Sequence, residues 1–190
     1  DDMLLMNPEQ HIIRILKEII ARKLPIRFHT PNGLHVREIN TPLADLLFRA
    51  QFKTLRLSFE SSNLTRQKDS SYKVTNEDFT RAITALRTVG FTNREIGVYT
   101  MIGLPRQTWE EIEASVRFVH AHGAKINTVQ YSPIPGTAYY DAVYGKQSVL
   151  AVDPLLHNQS IFPGTPAATE YIKYQQIKNL IRKGNAALSS

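Results

Sequence analysis

The sequence predicts an α/β fold: a partial, TIM-like (β/α) barrel of parallel strands with helices on its outer face, followed by a helical tail. Three observations carry this. Strand-like and helix-like stretches alternate, with strands starting near residues 24, 54, 95 and 126. Steps of about 30 to 40 residues are single βα units, and their alternation implies parallel pairing through right-handed crossovers. The strands are also one-sided, apolar on one face and polar on the other. A doubly wound sheet, covered by helices on both faces, would instead show nearly continuous apolar runs.

The first helix is expected over Pro8–Arg22. Asn7 stands as its N-cap, Pro8 at its first position, Gln10 as the capping partner, and Ile12, Ile13, Leu16, Ile19 and Ile20 form its apolar stripe. Leu24–Thr30 follows as a strand in which Ile26 and Phe28 alternate with Arg27 and His29. Thr41 and Pro42 open a helix reaching Gln51, and Thr54–Phe59 is the next strand. There Leu55, Leu57 and Phe59 alternate with Arg56, Ser58 and Glu60. A helix over Thr75–Val89 has Thr75 and Asp78 as its capping box and Gly90 as its stop.

Glu95–Ile102 is the third strand, with Ile96 and Val98 set against Gly97, Tyr99 and Met101. Thr108 and Glu111 make the clearest capping box in the sequence, opening a helix that runs to His122 and stops at Gly123. Ile126–Tyr131 is the fourth strand, and a final helix is expected over Ala167–Lys183. Buried charge needs partners, so the polar strand faces should line a wet or ligand-filled interior. Four strands do not close a barrel; the expectation is a domain over 1–140 lacking its first strand, with an extension over 141–190.

Composition is that of a globular protein, 42% hydrophobic and 21% charged. No apolar run approaches the roughly 20 residues of a membrane span, and Asp1 and Asp2 stand where a signal peptide would be basic. A cytoplasmic, membrane-free protein is expected. With 0 cysteines, disulfides, thiolate catalysis and cysteine-held metal sites are excluded within these residues. The net charge of +6 is scattered, densest at Lys173, Lys178, Arg182 and Lys183 on the last helix. That pattern reads as a solvated helix face. No H-E-x-x-H, Walker loop, G-x-G-x-x-G or G-x-S-x-G occurs.

Five segments, in order, resemble radical S-adenosylmethionine enzymes. They are Asp1–Leu5, Thr30–Leu34, Arg56–Ser61, Ile102–Glu111 and Tyr131–Thr137. They are similar to the end of that superfamily's second strand, the loop after its third, its fourth strand, its fifth strand–helix junction and the loop after its sixth. Arg106 departs from the pattern, since glycine is usual there. The resemblance implies S-adenosylmethionine and a 4Fe–4S cluster held by C-x-x-x-C-x-x-C. It also implies a 5′-deoxyadenosyl radical that abstracts hydrogen from substrate. The group resembled most carries a cobalamin-binding domain, which implies cobalamin supplied from a separate domain. The first strand and the cluster cysteines are missing here, so the chain is expected to need the preceding part of the same protein and to be inactive alone.

Carried residue by residue, the resemblance gives a set of cofactor contacts. Ser58 and Glu60 would meet ribose and methionine groups, and an internal ion pair of Glu60 with Arg27 or Arg56 is the alternative. Lys73, or less favourably Arg66, would meet the methionine carboxylate, and Asp1 or Asp2 the ammonium. Gly103, Leu104 and Pro105 would approach the adenine, and Tyr131 with Pro133 and Pro135 would wall the pocket. His29 on the polar face would touch substrate. Glu110 and Glu111 favour their helix dipole, and His120 and His122 read as structural. Two other readings stay open: a half-barrel hydrolase or aldolase using Glu60 with Lys73 or His29, and a non-catalytic RNA- or protein-binding module.

Overall fold

A computed structural model describes residues 5–69, 74–104, 106–131, 134–137, 140–141 and 169–189. Along the chain run α1 (Ile12–Ala21), β1 (Phe28–His29), β2 (Leu34–His35), a 3-10 turn (Val36–Glu38), α2 (Thr41–Arg49) and β3 (Phe52–Glu60). Then come α3 (Leu64–Asp69), α4 (Asn76–Thr88), β4 (Ile96–Ile102), α5 (Trp109–Ala121), β5 (Lys125–Gln130) and α6 (Thr169–Ala187). Among the described residues every strand pairing is parallel, with β3 followed by β4 and β5, and the sheet forms a half-barrel.

The far side of β3 is shared by two short strands. β1 meets its start (Phe28 opposite Phe52, His29 opposite Thr54), and β2 meets its upper half (Leu34 opposite Leu57, His35 opposite Ser58). The expected strand Leu24–Thr30 therefore shrinks to Phe28–His29. Lys23 turns the chain in the left-handed region (φ 50°), and Pro25 has no N–H to offer a ladder. Ile26, expected on the apolar face, is 42% exposed.

Capping chemistry explains where the other boundaries fall. Asn7, expected as an N-cap, instead sits at φ 47°, and its carbonyl accepts the Gln10 and His11 amides in a turn at 2.9 and 3.2 Å. α1 starts only after that turn. Asn40, not Thr41, caps α2 by accepting the Leu43 amide at 2.9 Å. Both expected capping boxes form: Thr75 with Asp78 on α4, and Thr108 with Glu111 on α5. At Asp78 burial pushes the carboxyl up, but hydrogen bonds from Arg81 and Thr75 outweigh it and hold the group below its ordinary value. Gly90 (φ 110°) and Gly123 (φ 72°) end the helices in the conformation glycine adopts at least cost.

The core lies between the outer face of the sheet and the helices. Leu55, Leu57, Phe59, Ile96, Val98, Ile102 and Ile126 meet Leu43, Leu47, Phe79, Ile83, Leu86, Ile112, Val116 and Val119 in one buried cluster. Thr100 keeps the same alternation and is buried on that side. At the β5 end, α6 buries Ile177 and Ile181. Its Asn185 amide accepts from the Ile126 N–H and donates to the Ile126 carbonyl, both at 2.9 Å, so a side chain satisfies the backbone a further strand would have paired. His120 Nε2 shares the Asn185 oxygen at 3.1 Å, and His122 packs between Phe79 and Phe118 with Thr80 on its ring nitrogen at 3.0 Å. Both histidines are structural, as their position near a helix end suggested.

Candidate active site at the upper edge of the half-barrel

The inner face of the sheet carries the side chains that alternate with the core. Adjacent strands place them in rows: Arg56, Gly97 and Lys125 in one, then Ser58, Tyr99 and Asn127 above it. Arg56 lies flat across Gly97, where an added Cβ would meet the guanidinium at 2.9 Å. It reaches β5, donating from Nε to the Asn127 amide oxygen at 2.8 Å when that amide is oriented by its hydrogen bonds. The Tyr99 hydroxyl donates to the Pro31 carbonyl at 2.5 Å. Polar groups expected inside a barrel are thus drawn together across three strands.

At the C-terminal ends of the strands, three sequence-predicted segments become neighbours: Glu60 at the end of β3, Gly103 and Leu104 after β4, and Tyr131 after β5. Between Ser58 and Glu60 the register slips, so that Glu60 pairs with Thr100. Glu60 takes φ 62° and is exposed. A glutamate in the left-handed region costs on the order of 1 kcal/mol, and bulges of this kind gather beside active sites because they re-aim a side chain. Among the described residues Glu60 makes no ion pair, so neither Arg27 nor Arg56 takes the role of internal partner. Ser58 is half-buried below it, and a Cβ on Gly33 would collide with its hydroxyl, so the loop after β1 packs directly on this serine.

The Gly103–Leu104 turn is held from within. Both amides donate to the Gln107 side-chain oxygen, at 2.9 and 3.2 Å, and the Gln107 nitrogen donates to the Met101 carbonyl at 3.0 Å. Those N–H groups are therefore satisfied by protein, and what the turn offers a ligand is backbone shape and the half-buried Leu104 side chain. Gln107 was the residue the sequence reading passed over; a glutamine four positions after Gly103 and just before a capping threonine was the available signal. Arg106 occupies φ 56° in this turn, the conformation that explains why glycine is usual there. Arg106→Gly is expected to raise stability by about 1 kcal/mol, read as a higher urea midpoint at unchanged slope; a lower midpoint would refute the strain.

Tyr131 is half-buried and its amide donates to the Ile102 carbonyl at 2.8 Å. Asp2, Lys73 and Pro105 lie outside the described residues. Arg66 does not face this edge as an available cation: its Nε and Nη2 both donate to Glu111, at 3.1 and 3.0 Å. Glu111 also accepts Asn63 at 2.8 Å while serving in its capping box. Ser115 binds Ser61 and Ser62, so the whole loop after Glu60 is tied to α5. His29 is exposed, with Thr54 on Nδ1 at 2.8 Å. Thr54 and Glu60 are separated along β3 by about 20 Å, so this histidine is not gathered with the other candidates, nor paired with Glu60 for acid–base work.

Among the described residues no three His, Cys, Asp or Glu side chains come together as a metal site, and no helix is long and apolar enough to cross a membrane. With 0 cysteines in the sequence, these side chains do not fit a cysteine-held iron–sulfur cluster.

Comparison with known proteins agrees with this fold. No curated protein matches the sequence. Among solved structures, the chain is similar to coproporphyrinogen III oxidase (HemN) from Escherichia coli, described as a radical SAM enzyme. The TM-score is 0.58 at 17% identity, over 91% of this chain and 36% of that one. The likeness is one of fold, and the chain spans about a third of that enzyme's length. The model of the radical SAM superfamily matches residues 2–119. With the family model covering well over half of its length, this chain belongs to the radical SAM superfamily.

Proposed function

We propose that this chain supplies the S-adenosylmethionine-facing and substrate-facing wall of a radical SAM enzyme, whose 4Fe–4S cluster is held by a segment outside this sequence. The observation that carries the reading is Glu60. It is an exposed carboxylate in a strained backbone conformation, at a bulge on the strand end where parallel α/β sheets hold their ligands. Its oxygens accept hydroxyl protons, which suits the ribose. Ser58 supports it from below, while Leu104 follows the adjacent strand β4 and Tyr131 the strand beyond it, β5. Asp2, Lys73 and Pro105 complete the proposed contacts on the strength of the sequence resemblance. Cobalamin rests on that resemblance alone.

The cluster, when bound by its own segment, supplies the electron that the superfamily's chemistry requires. This chain's residues bind and orient. Having no cysteine, the chain by itself is proposed to be inactive, and a soluble cytoplasmic protein is proposed as its setting.

The test is the affinity for S-adenosylmethionine, by equilibrium dialysis on the protein that carries this chain together with its cluster segment. Glu60→Ala is expected to weaken binding at least tenfold, since a hydrogen bond to a charged group contributes about 1.5–3 kcal/mol. Folding stability should be unchanged or slightly raised. Unaltered affinity in the folded variant would remove Glu60 from the site and with it the main support for this reading.

A further inference from the structure

We propose that the lower part of the inner face, between Arg56 and Lys125, binds an oxyanion, carboxylate or phosphate, on the substrate. This rests on the reading of the inner face as the substrate side of the enzyme. The two cations stand in one row of the sheet, on either side of Gly97: Arg56 pairs with Gly97 and Gly97 with Lys125. Side chains in such a row point to the same face. That face is the inner one, because Asn127, two residues from Lys125, meets the Arg56 side chain that lies over Gly97. The intervening Ile126 is 3% exposed in the core.

Gly97 is what lets the two charges approach. With no side chain on β4 at this level, the guanidinium drops onto the glycine and projects toward β5, where Lys125 begins the strand. Both side chains are half-buried. Among the described residues neither forms an ion pair, and the partners of Arg56 are neutral: Asn127 and, at 3.4 Å, the Leu55 carbonyl. Arg56 and Lys125 stand two strands apart, about 10 Å between their backbones, and like charges on one sheet face repel. A partly desolvated cation pair without a carboxylate is costly unless an anion joins it. The guanidinium fork and the lysine ammonium are the donors that recognise carboxylate and phosphate.

The position limits the substrate further. Arg56 lies four residues below Glu60 on β3, about 13 Å along the strand. A molecule held at both ends would be elongated, with its anionic group remote from the atom that reacts near the cofactor.

Isothermal titration of the protein carrying its cluster segment tests this with two probes, inorganic phosphate and succinate. Saturable binding of one of them is expected, weakened about tenfold in Lys125→Gln and in Arg56→Gln, as removal of a charge-assisted hydrogen bond implies. Arg56→Gln also cuts the bridge to Asn127, so Lys125→Glu provides a variant that leaves that bridge in place. It sets a carboxylate beside Arg56 and is expected to abolish anion binding while raising the melting temperature. Preference for phosphate assigns a phosphoryl substrate, and preference for succinate a carboxylic one. If neither anion binds saturably, or all three variants bind as the wild type does, the site is refuted. S-adenosylmethionine affinity, measured in the Lys125 variants, should stay within about twofold of wild type, since Lys125 lies two strands from β3 and about 13 Å below the level of Glu60. Cofactor binding without anion binding would sink this inference alone, and the converse would sink only the cofactor reading.

Discussion

Phe79→Ala is expected to cost about 3–5 kcal/mol of folding stability, the range for removing a buried aromatic ring. Phe79 is 0% exposed and sits at the centre of an aromatic cluster. Its ring lies 4.3 Å from Phe59, 5.7 Å from Phe118 and 5.6 Å from His122, centre to centre. Such pairs add about 0.5–1.5 kcal/mol each beyond the area they bury. The surrounding elements cannot collapse to fill the gap, because α4 is fixed at its start by a capping box and at its end by Gly90. Against a total of roughly 5–15 kcal/mol for a domain, the loss is large enough to see directly as a drop in urea midpoint. The effect reaches the candidate site, since Phe59 immediately precedes Glu60. A loss below about 1 kcal/mol would show that the cluster is not the packing centre described here.

Glu111→Ala is expected to cost about 3 kcal/mol, combining a lost N-cap interaction of about 1 kcal/mol with a partly buried ion pair broken on one side. The Arg66 side chain is 16% exposed and that of Glu111 21%, so the pair lies largely out of water. Glu111→Gln keeps the hydrogen-bonding shape and removes the charge, and about half the loss is expected. The two variants are compared by urea unfolding. A second readout is the protection of the Ser62 and Arg66 amides from hydrogen exchange. The Ser62 N–H donates to Ser115 Oγ and the Arg66 N–H to Asn63 Oδ1, at 2.9 and 3.1 Å. If Glu111 holds the loop after β3, both amides lose protection in the Ala variant. Equal protection in wild type and variant would leave Glu111 as a helix cap and nothing more.

That Glu111 does two jobs illustrates what sequence reading reaches and what it misses. Its capping role was legible, because Thr108 and Glu111 are three residues apart and the motif closes within one turn. Its hold on Asn63 and Arg66 was not, because those partners lie 48 and 45 residues away. The short elements β2 and α3 were missed for a related reason. Two or six residues are too few for a period to show, although Asn63 before Leu64 was a usable N-cap signal: it accepts the Arg66 amide at 3.1 Å. The first strand was read too long because Leu24 and Ile26 look apolar. They are 41% and 42% exposed at the sheet's edge.

Of the candidate site, alternation along β3 puts Ser58 and Glu60 on the polar face, and resemblance to a family suggests them, with Gly103, Leu104 and Tyr131, as cofactor contacts. Alternation assigns a face but not a height. It put His29 and Glu60 on one polar surface without showing that most of the length of a strand separates them.

By itself, then, the sequence determined what depends on near neighbours in the chain. This covers the parallel α/β order, both capping boxes, the glycine stops, the apolar outer and polar inner faces, and the impossibility of a cysteine-held cluster in these residues. Tertiary structure alone decided the row of Arg56, Gly97 and Lys125, the bulge at Glu60, the Gln107 clasp on the Gly103–Leu104 amides, and the Asn185 cap on β5. The division is physical. Period and capping are fixed by bonds spanning three or four residues, whereas register and side-chain clasps depend on which residues parallel crossovers bring level, and no local pattern encodes that.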